Sequence, residues 1–250
     1  HIHPEVLDYL ADHLDSITNR RRIKKISLYL YTAGGMTIAA WSIVNLIKQF
    51  CDEYEVILPS KAHSAGTIIV LGASNVLMTK QATLSPIDPS FNGPLNPLAN
   101  GPAGSMTVPV SVEAINGYFN MVKKDLRIFR KSELSRIMAA LNDKIHPLVL
   151  GETYRARTQI KQLAEKVLSA RIDGKKNRKR IIDFLTADSG SHDYTIGRQE
   201  AREYLGLPVE VPSEPQYDLI KKLFDDIKIE LELNNPFNPI SLFGPAVGQI

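Results

Sequence analysis

The stretch ISLYLYTAGG, residues 26–35, decides the fold of this chain. Its aliphatic and tyrosine residues predict a strand, which breaks at the two adjacent glycines, Gly34 and Gly35. Residues 36–50 follow with apolar side chains at helical spacing and predict a helix. Glycines at such a junction permit backbone conformations barred to other residues and let backbone N–H groups approach a ligand closely. An ordinary tight turn between a strand and a helix would use the same residues.

The strand–turn–helix pattern recurs about thirty residues further along the chain. A second strand is predicted at residues 55–58, the turn KAHSAGT follows at 61–67, and a helix begins near Ser64. Two further short strands are predicted at 76–78 and 82–84. This alternation implies an α/β fold with a mostly parallel sheet and right-handed crossovers.

Composition changes abruptly after this region. Glycine and proline punctuate residues 92–109, for which we predict a functional flap or loop without regular elements. The stretch GKKNRKR at 174–180 predicts a basic loop, more simply a solvated surface turn than a phosphate or nucleic-acid patch. Long helices are predicted at residues 5–17, 111–143, 147–172 and 213–233. We therefore expect a catalytic domain at 1–210 and a C-terminal helix and tail at 211–250.

The overall composition is that of a soluble globular protein. Of 250 residues, 44% are hydrophobic and 23% charged, and 30 basic residues stand against 27 acidic ones, so nothing demands a nucleic-acid partner. The single cysteine, Cys51, cannot form an internal disulfide, which favours a cytoplasmic location. The six histidines lie in no metal-binding motif, and no metal or cofactor is expected. No stretch approaches the roughly 18 to 20 apolar residues of a membrane span.

Two features that the sequence lacks bear on segments or partners outside it. The chain lacks both a starting Met and a secretory signal, so an upstream segment is a possibility. It also lacks the phosphate-binding motif of ATPases. If folded proteins are the substrates, a separate ATPase or regulatory partner would be needed.

Ser64 is the first candidate for chemistry. A serine at the start of a helix is most often an N-cap, but it can also be a nucleophile beside free backbone N–H donors. Ala62 stands where the G-x-S-x-G motif of serine hydrolases requires glycine. Together, the turns at Gly34–Gly35 and at Ser64 predict two N–H groups that converge on one oxyanion.

Five short motifs carry a resemblance to known proteins: AGG at 33–35, AHSAGT at 62–67, SPIDP at 85–89, HPLVLG at 146–151 and SHDYTI at 191–196. With these motifs the chain resembles the serine-peptidase branch of the ClpP/crotonase superfamily, to which the Clp peptidase subunit and signal peptide peptidase A belong. Over roughly residues 20–210 it is similar to the serine dehydrogenase proteinase family. The resemblance implies a spiral of ββα units, in which Ser64 is the nucleophile and the N–H groups of Gly35 and Ala65 form the oxyanion hole.

The general base is less clear, because the sequence departs from both relatives. No histidine follows the serine at the expected distance, where Asp88 stands instead. His192 precedes Asp193, which matches the aspartate of the Clp peptidase pattern. We predict a swapped arrangement in which His192 takes the proton of the serine and Asp88 orients the imidazole. A loop histidine that caps the next helix is the alternative.

Three other residues are secondary candidates for the base. His63 adjoins Ser64 but is expected to pack or to line the site. Lys80 would reach the serine only if the following strand ran past it. In the signal peptide peptidase pattern a lysine follows the serine by several tens of residues, but residues 81–122 contain none, and Lys123 lies on a charged helical face that is more simply exposed.

Three functions remain open at the level of sequence. The first is a serine peptidase, whose peptide or protein substrate adds as a strand beside Gly35. The second is a crotonase-like acyl-thioester enzyme in which Asp88 serves as acid or base. The third is a degenerate interaction scaffold of the same fold. A homo-oligomer is expected from the resemblance and from the apolar stripe of the helix at 213–233, although that stripe could equally pack on its own domain.

Overall fold

The computed structural model describes residues 1–87, 90–91, 93–101, 104–188 and 194–235. Contacts divide the chain into two units, His1–Glu210 and Val211–Ile250. The first unit is an α/β structure with a mostly parallel sheet, which confirms the predicted fold class. Within the described ranges, no helix combines the length and apolar composition that crossing a membrane requires.

The elements of the first unit alternate between strands and helices in its amino-terminal part and are mainly helical afterwards. In chain order they are α1 (Val6–Thr18), β1 (Ile23–Tyr29), α2 (Thr37–Phe50), β2 (Cys51–Leu58), β3 (Lys61–Ala62), α3 (Ala65–Leu71), β4 (Asn75–Met78), β5 (Thr83–Leu84), β6 (Ser90–Phe91), β7 (Leu98–Gly101), β8 (Gly104–Thr107), β9 (Val110–Ser111), α4 (Val112–Asn120), α5 (Lys131–Asn142), α6 (Pro147–Ser169), α7 (Lys175–Asp183), α8 (Arg198–Glu203) and β10 (Val209–Glu210). π-Helical turns follow α4 at Met121–Asp125 and α7 at Phe184–Asp188.

The core forms around a parallel sheet with the strand order β1-β2-β4-β10. Val56 and Leu58 of β2 and Val76 and Met78 of β4 are completely buried. Helix α3, whose residues are all buried, contacts α2 and α6. Burial of these aliphatic side chains is the main favourable contribution to folding, at roughly 25 cal/mol for each Å² of apolar surface.

A second, shorter parallel pair carries the chain toward the candidate site. Strand β3 pairs with β5, so that Lys61 faces Thr83 and Ala62 faces Leu84. Thr32, just beyond β1, forms a parallel bridge with Ala62. The ends of β1, β3 and β5 therefore lie next to one another.

The prediction of an irregular loop at 92–109 is wrong for the part that the structure describes. Strands β7 and β8 form an antiparallel hairpin in which Leu98 pairs with Thr107. Asn96 donates a side-chain hydrogen bond to the Val108 carbonyl, which closes the base of the hairpin (2.8 Å). Strands of four residues are too short to show an alternating apolar pattern, and the surrounding glycines and prolines instead predict a loop. Residues 92, 102 and 103 lie outside the described residues.

The basic stretch at 174–180 is also not a loop, because helix α7 begins at Lys175. Arg178 pairs with Glu165 of α6 at 2.8 Å, and Arg180 lies 4.6 Å from the ring centre of Tyr204. These partners are distant in sequence, so charge composition alone could not predict the helix.

The single helix predicted at 111–143 is interrupted in the structure. Helix α4 ends in its π-helical turn, and α5 begins at Lys131. Between them, Arg127 has a φ of 53°, a conformation that cannot continue a right-handed helix. The two helices are therefore separate elements joined by an exposed connection.

The second unit contains helix α9 (Glu214–Glu230). Ser213 and Gln216 form a capping box at its amino terminus, and Pro215 occupies the first turn. Ile220 and Phe224 are its buried side chains.

Candidate active site

The two glycine-containing turns lie side by side at the ends of β1 and β3. The backbone N–H of Thr32 donates to the Lys61 carbonyl, and that of His63 donates to the Thr32 carbonyl (3.0 and 3.1 Å). A methyl group placed on Gly34 would lie 2.9 Å from Cβ of Ser64. This approach requires glycine at position 34.

Ser64 itself has a strained backbone. Its φ of 51° and ψ of −116° lie in a region that residues with a side chain rarely adopt, at a cost on the order of 1–3 kcal/mol. Its side chain makes no capping hydrogen bond to α3, so the N-cap role that the sequence allowed is not the one observed. Strain at a half-buried serine between a strand and a helix is typical of nucleophiles.

Two buried hydroxyl side chains hold Ser64 in this conformation. The Ser64 N–H donates to Oγ of Ser85 at 2.7 Å, and the Ser85 hydroxyl donates to the Pro86 carbonyl at 3.1 Å. Thr67 of α3 donates to the Ser85 carbonyl at 2.7 Å. Sequence reasoning missed both Ser85 and Thr67. Ser85 belongs to the quoted SPIDP motif, but no local signal assigns its side chain to the backbone of Ser64.

The backbone N–H groups of Gly35 and Ala65 have no acceptor among the described residues. The neighbours of Gly35 are engaged, because the Gly34 N–H donates to Thr32 Oγ1 and the Met36 N–H to the Ile2 carbonyl. The neighbours of Ala65 are likewise engaged by Ser85 and His63. The backbone N–H groups of Gly35 and Ala65 are thus left unpaired within the described ranges; Ala65 follows Ser64 directly, and Gly34, the neighbour of Gly35, closely approaches Ser64.

A parallel bridge between Ile2 and Gly35 fixes one edge of the first turn. The Ile2 N–H donates to the Gly34 carbonyl, and its carbonyl accepts from Met36 (both 2.9 Å). In this pattern the bonds use the two neighbours of Gly35, so the N–H of Gly35 itself lies on the opposite edge. The amino-terminal residues therefore occupy one edge of the turn, and the N–H of Gly35 lies on the other edge.

The secondary candidates differ in how the structure places them. The His63 ring contacts Thr83 through Nε2 at 2.9 Å. Extending the β3–β5 register places Lys80 level with Leu58 and Pro86 level with Ser64, so Lys80 lies toward the far end of the strand pair. Lys123 is exposed on the π-helical turn after α4. Among the described residues, no group of three or more His, Cys, Asp or Glu side chains could hold a metal ion.

The predicted base and its partners, His192, Asp88 and Asp193, lie outside the described residues. Their roles therefore stay predictions. The described residues that flank them are anchored close to Ser85. Ile196 exchanges two hydrogen bonds with Leu84 (2.9 Å each), and the Ile87 N–H donates to the Leu185 carbonyl (2.7 Å).

We expect the substitution Ser85→Ala to lower kcat by roughly 10- to 100-fold with little change in KM, because misplacing a reacting atom by about 1 Å costs a factor on that order. It should also lower the free energy of unfolding by about 1–3 kcal/mol, since the Ser64 N–H loses its buried acceptor. Peptide hydrolysis and thermal unfolding measure the two effects. Ser135→Ala on the exposed helix α5 is the matched control and should change neither. An unchanged kcat in Ser85→Ala would remove Ser85 from the positioning of the serine.

A strained serine at the end of a parallel strand, with unpaired backbone N–H groups nearby among the described residues, is an arrangement that serine hydrolases use. The profile of one family matches this part of the chain. Residues 11–107 match the model of the family described as ClpP-like SDH-type serine proteinase. This confirms the resemblance on which the site residues were predicted.

Two uncharacterized proteins of Methanocaldococcus jannaschii are similar to this chain. One is 29% identical over 193 residues, which cover 76% of this chain and 56% of the relative. The other is 26% identical over 186 residues, which cover 74% and 51%. The chain thus spans about half the length of the curated relatives it matches.

Solved structures with a similar fold include two mutants of a 1510-N membrane-bound stomatin-specific protease, one of them in complex with a substrate peptide. The complex has a TM-score of 0.47 at 20% identity, with coverage of 86% of this chain and 73% of the other. The second mutant has a TM-score of 0.48 at 20% identity, with coverage of 88% and 79%.

Proposed function

We propose that this chain is a serine peptidase in which Ser64 forms the acyl-enzyme. The observation that supports this proposal most is the strained serine at a junction where the N–H groups of Gly35 and Ala65 have no acceptor among the described residues. In the first step Oγ of Ser64 bonds to the carbonyl carbon of the scissile peptide, and its proton moves to the base. The two N–H groups stabilise the oxyanion, each by roughly 3–4 kcal/mol in the transition state.

The second half of the reaction restores the serine. The base returns the proton to the leaving amine as the C–N bond breaks, which leaves an ester on Ser64. Water then attacks the ester while the base takes a proton from it, and the base gives that proton to Oγ of Ser64 as the C–O bond breaks and the carboxylic acid product leaves. A hydroxyl that is free of capping bonds, as that of Ser64 is, can make this attack.

The peptide substrate is proposed to lie along the edge of the Gly35 turn that Ile2 leaves open. An extended peptide gains main-chain hydrogen bonds when it adds to an exposed strand edge. Ile2 already pairs with the opposite edge. The sequence predicted that a peptide adds as a strand beside Gly35. Because Ile2 occupies one edge of the turn, we propose that the peptide adds at the other edge.

His192 is proposed as the base, with Asp88 as its orienting partner and Asp193 as a secondary candidate. Support comes from the hydrogen bonds of Ile196 to Leu84, the residue before Ser85. Ile196 follows His192 by four residue steps, which span at most about 14 Å when extended. The anchor therefore limits how far His192 can lie from Ser64.

With a histidine base, kcat/KM should rise between about pH 6 and pH 7, because the imidazole must be neutral to accept the proton. His192→Ala should lose several orders of magnitude in kcat with little change in KM, and Asp88→Asn should lose less. Lys80→Ala and Lys123→Ala serve as controls that keep activity. A lysine would be the base if the lysine variants were inactive while His192→Ala stayed active. In that case kcat/KM would rise only above neutral pH.

The two alternatives predicted from sequence are tested by fluorophosphonate labelling. A crotonase-like acyl-thioester enzyme would use the same two N–H groups for an enolate oxygen, but it would not need a strained serine. A degenerate scaffold would keep the fold and lose the reactive hydroxyl. Covalent labelling of Ser64 supports the peptidase and contradicts the scaffold.

Assembly, partners and location belong to the same proposal. A homo-oligomer would cover Leu219 and Leu223 of α9, which are 69% and 44% exposed, and light scattering checks it. A separate ATPase or regulatory partner is proposed only for folded substrates. A cytoplasmic location agrees with the single, buried Cys51.

A further inference from the structure

The connection between α4 and α5 concentrates unpaired positive charge. Residues 121–144, here named the basic tip, contain three acidic residues and seven basic ones: Lys123, Lys124, Arg127, Arg130, Lys131, Arg136 and Lys144. All seven basic side chains are exposed. None of them makes a salt bridge with a residue that the structure describes. The tip therefore carries a larger excess of positive charge than the net +3 of the whole chain.

The basic tip also exposes apolar side chains. Leu126 and Phe129 are 58% and 67% exposed in the short connection, and Met121 and Met138 are exposed beside it. Helix α5 has no buried residue at all. Single exposed apolar residues are ordinary, but several within one short, cationic segment indicate an interaction surface.

A groove between α4 and α5 continues this apolar surface. Phe119, Leu134 and Met138 line it, and Lys123 and Lys131 contribute to the same lining. Apolar and basic side chains therefore occur together in the groove and on the exposed connection between α4 and α5.

The positive charge and the exposed apolar side chains of the basic tip together indicate which kind of partner binds it. A second copy of the chain would bring two cationic faces together, which is unfavourable. A nucleic acid would neutralise the cations but leave Leu126 and Phe129 in water. An anionic lipid surface satisfies both features, since headgroups pair with the cations while apolar side chains enter the acyl boundary.

We propose that the basic tip is a peripheral membrane-binding surface for anionic lipids, with Leu126 and Phe129 entering the interface. Each Lys or Arg near such a surface strengthens binding roughly fivefold. The site is distinct from Ser64, and the proposal does not rest on the peptidase activity.

The test is flotation of the intact protein with vesicles of phosphatidylcholine alone or with about one third phosphatidylglycerol, a fraction chosen to create a negative surface potential. We expect the protein to float with the anionic vesicles only, and to be released by high salt because the attraction is screened. Lys124→Gln/Arg130→Gln should weaken partitioning roughly thirtyfold. Lys175→Gln/Lys176→Gln, an equal change of charge on exposed residues of α7, is the matched control and should bind as the unmodified protein does.

A second measurement reports insertion directly. In a Trp41→Phe background, which removes the single native tryptophan, Leu126→Trp should shift its emission to the blue and be quenched by brominated lipid. Tyr154→Trp, at an exposed position of α6, should show neither change. Leu126→Ser/Phe129→Ser should abolish flotation while hydrolysis of a soluble peptide stays unchanged.

Several outcomes would overturn the proposal. Equal flotation with neutral vesicles, or unchanged flotation of the tip variants, would remove the role of the cations. A dimer in light scattering that Leu126→Ser/Phe129→Ser dissociates, without flotation, would assign the surface to a second copy. Binding of duplex DNA that depends on Lys124 and Arg130, without flotation, would assign it to nucleic acid.

Discussion

The substitution Ser64→Ala is expected to abolish peptide hydrolysis and fluorophosphonate labelling. Loss of a serine nucleophile lowers kcat by roughly 10⁴- to 10⁶-fold, because the oxyanion donors alone give only a small remaining rate. The melting temperature should hardly change, since the side chain of Ser64 makes no capping bond and is only half-buried. Residual labelling of this variant would place the nucleophile elsewhere.

Ser64→Gly is the matched variant that separates strain from chemistry. Glycine adopts a positive φ without the steric penalty that other residues meet, so this variant should be more stable than Ser64→Ala by about 1–3 kcal/mol. Both variants should be equally inactive. If calorimetry found the same stability for both, Ser64 would not be strained in solution, and the main support for its role as nucleophile would be lost.

Gly35→Ala is expected to have the second largest effect. Gly35 has a φ of +148°, and a methyl group there would lie 2.2 Å from the carbonyl oxygen of Ile2. The turn must move, so the N–H of Gly35 would no longer meet the oxyanion that it is proposed to stabilise. Loss of one such donor lowers kcat by about 10²- to 10³-fold. The melting temperature should fall as well, because the bridge to Ile2 is displaced.

Gly151→Ala in α6 is the control for this experiment. A methyl group at Gly151 meets nothing within 4 Å, so activity should be retained. Stability should rise by up to about 1 kcal/mol, because alanine favours a helix over glycine. Wild-type kcat in Gly35→Ala would remove Gly35 from the oxyanion hole and leave Ala65 as its proposed donor.

Parts of the fold followed directly from local patterns. The strand before Gly34 and the helix after it are observed, as β1 and α2. Their apolar spacing reflects the faces that each buries, and such periodicity is visible in one chain. Local patterns failed at the first residues of α7 and at the β7–β8 hairpin. Helix α7 is supported by ion pairs to other elements, and the strands of the hairpin are too short for a period to show.

The sequence by itself determined the α/β class and the two junctions at Gly34–Gly35 and Ser64, because glycine and serine at strand ends are local signals. Only the tertiary structure decided how these junctions are held. Ser85 reaches the backbone of Ser64 across twenty-one residues, and Ile2 reaches Gly35 across more than thirty. No periodic pattern in the sequence marks which hydroxyl or backbone carbonyl will bind which distant N–H group. These partners are defined only when packing brings the distant segments together.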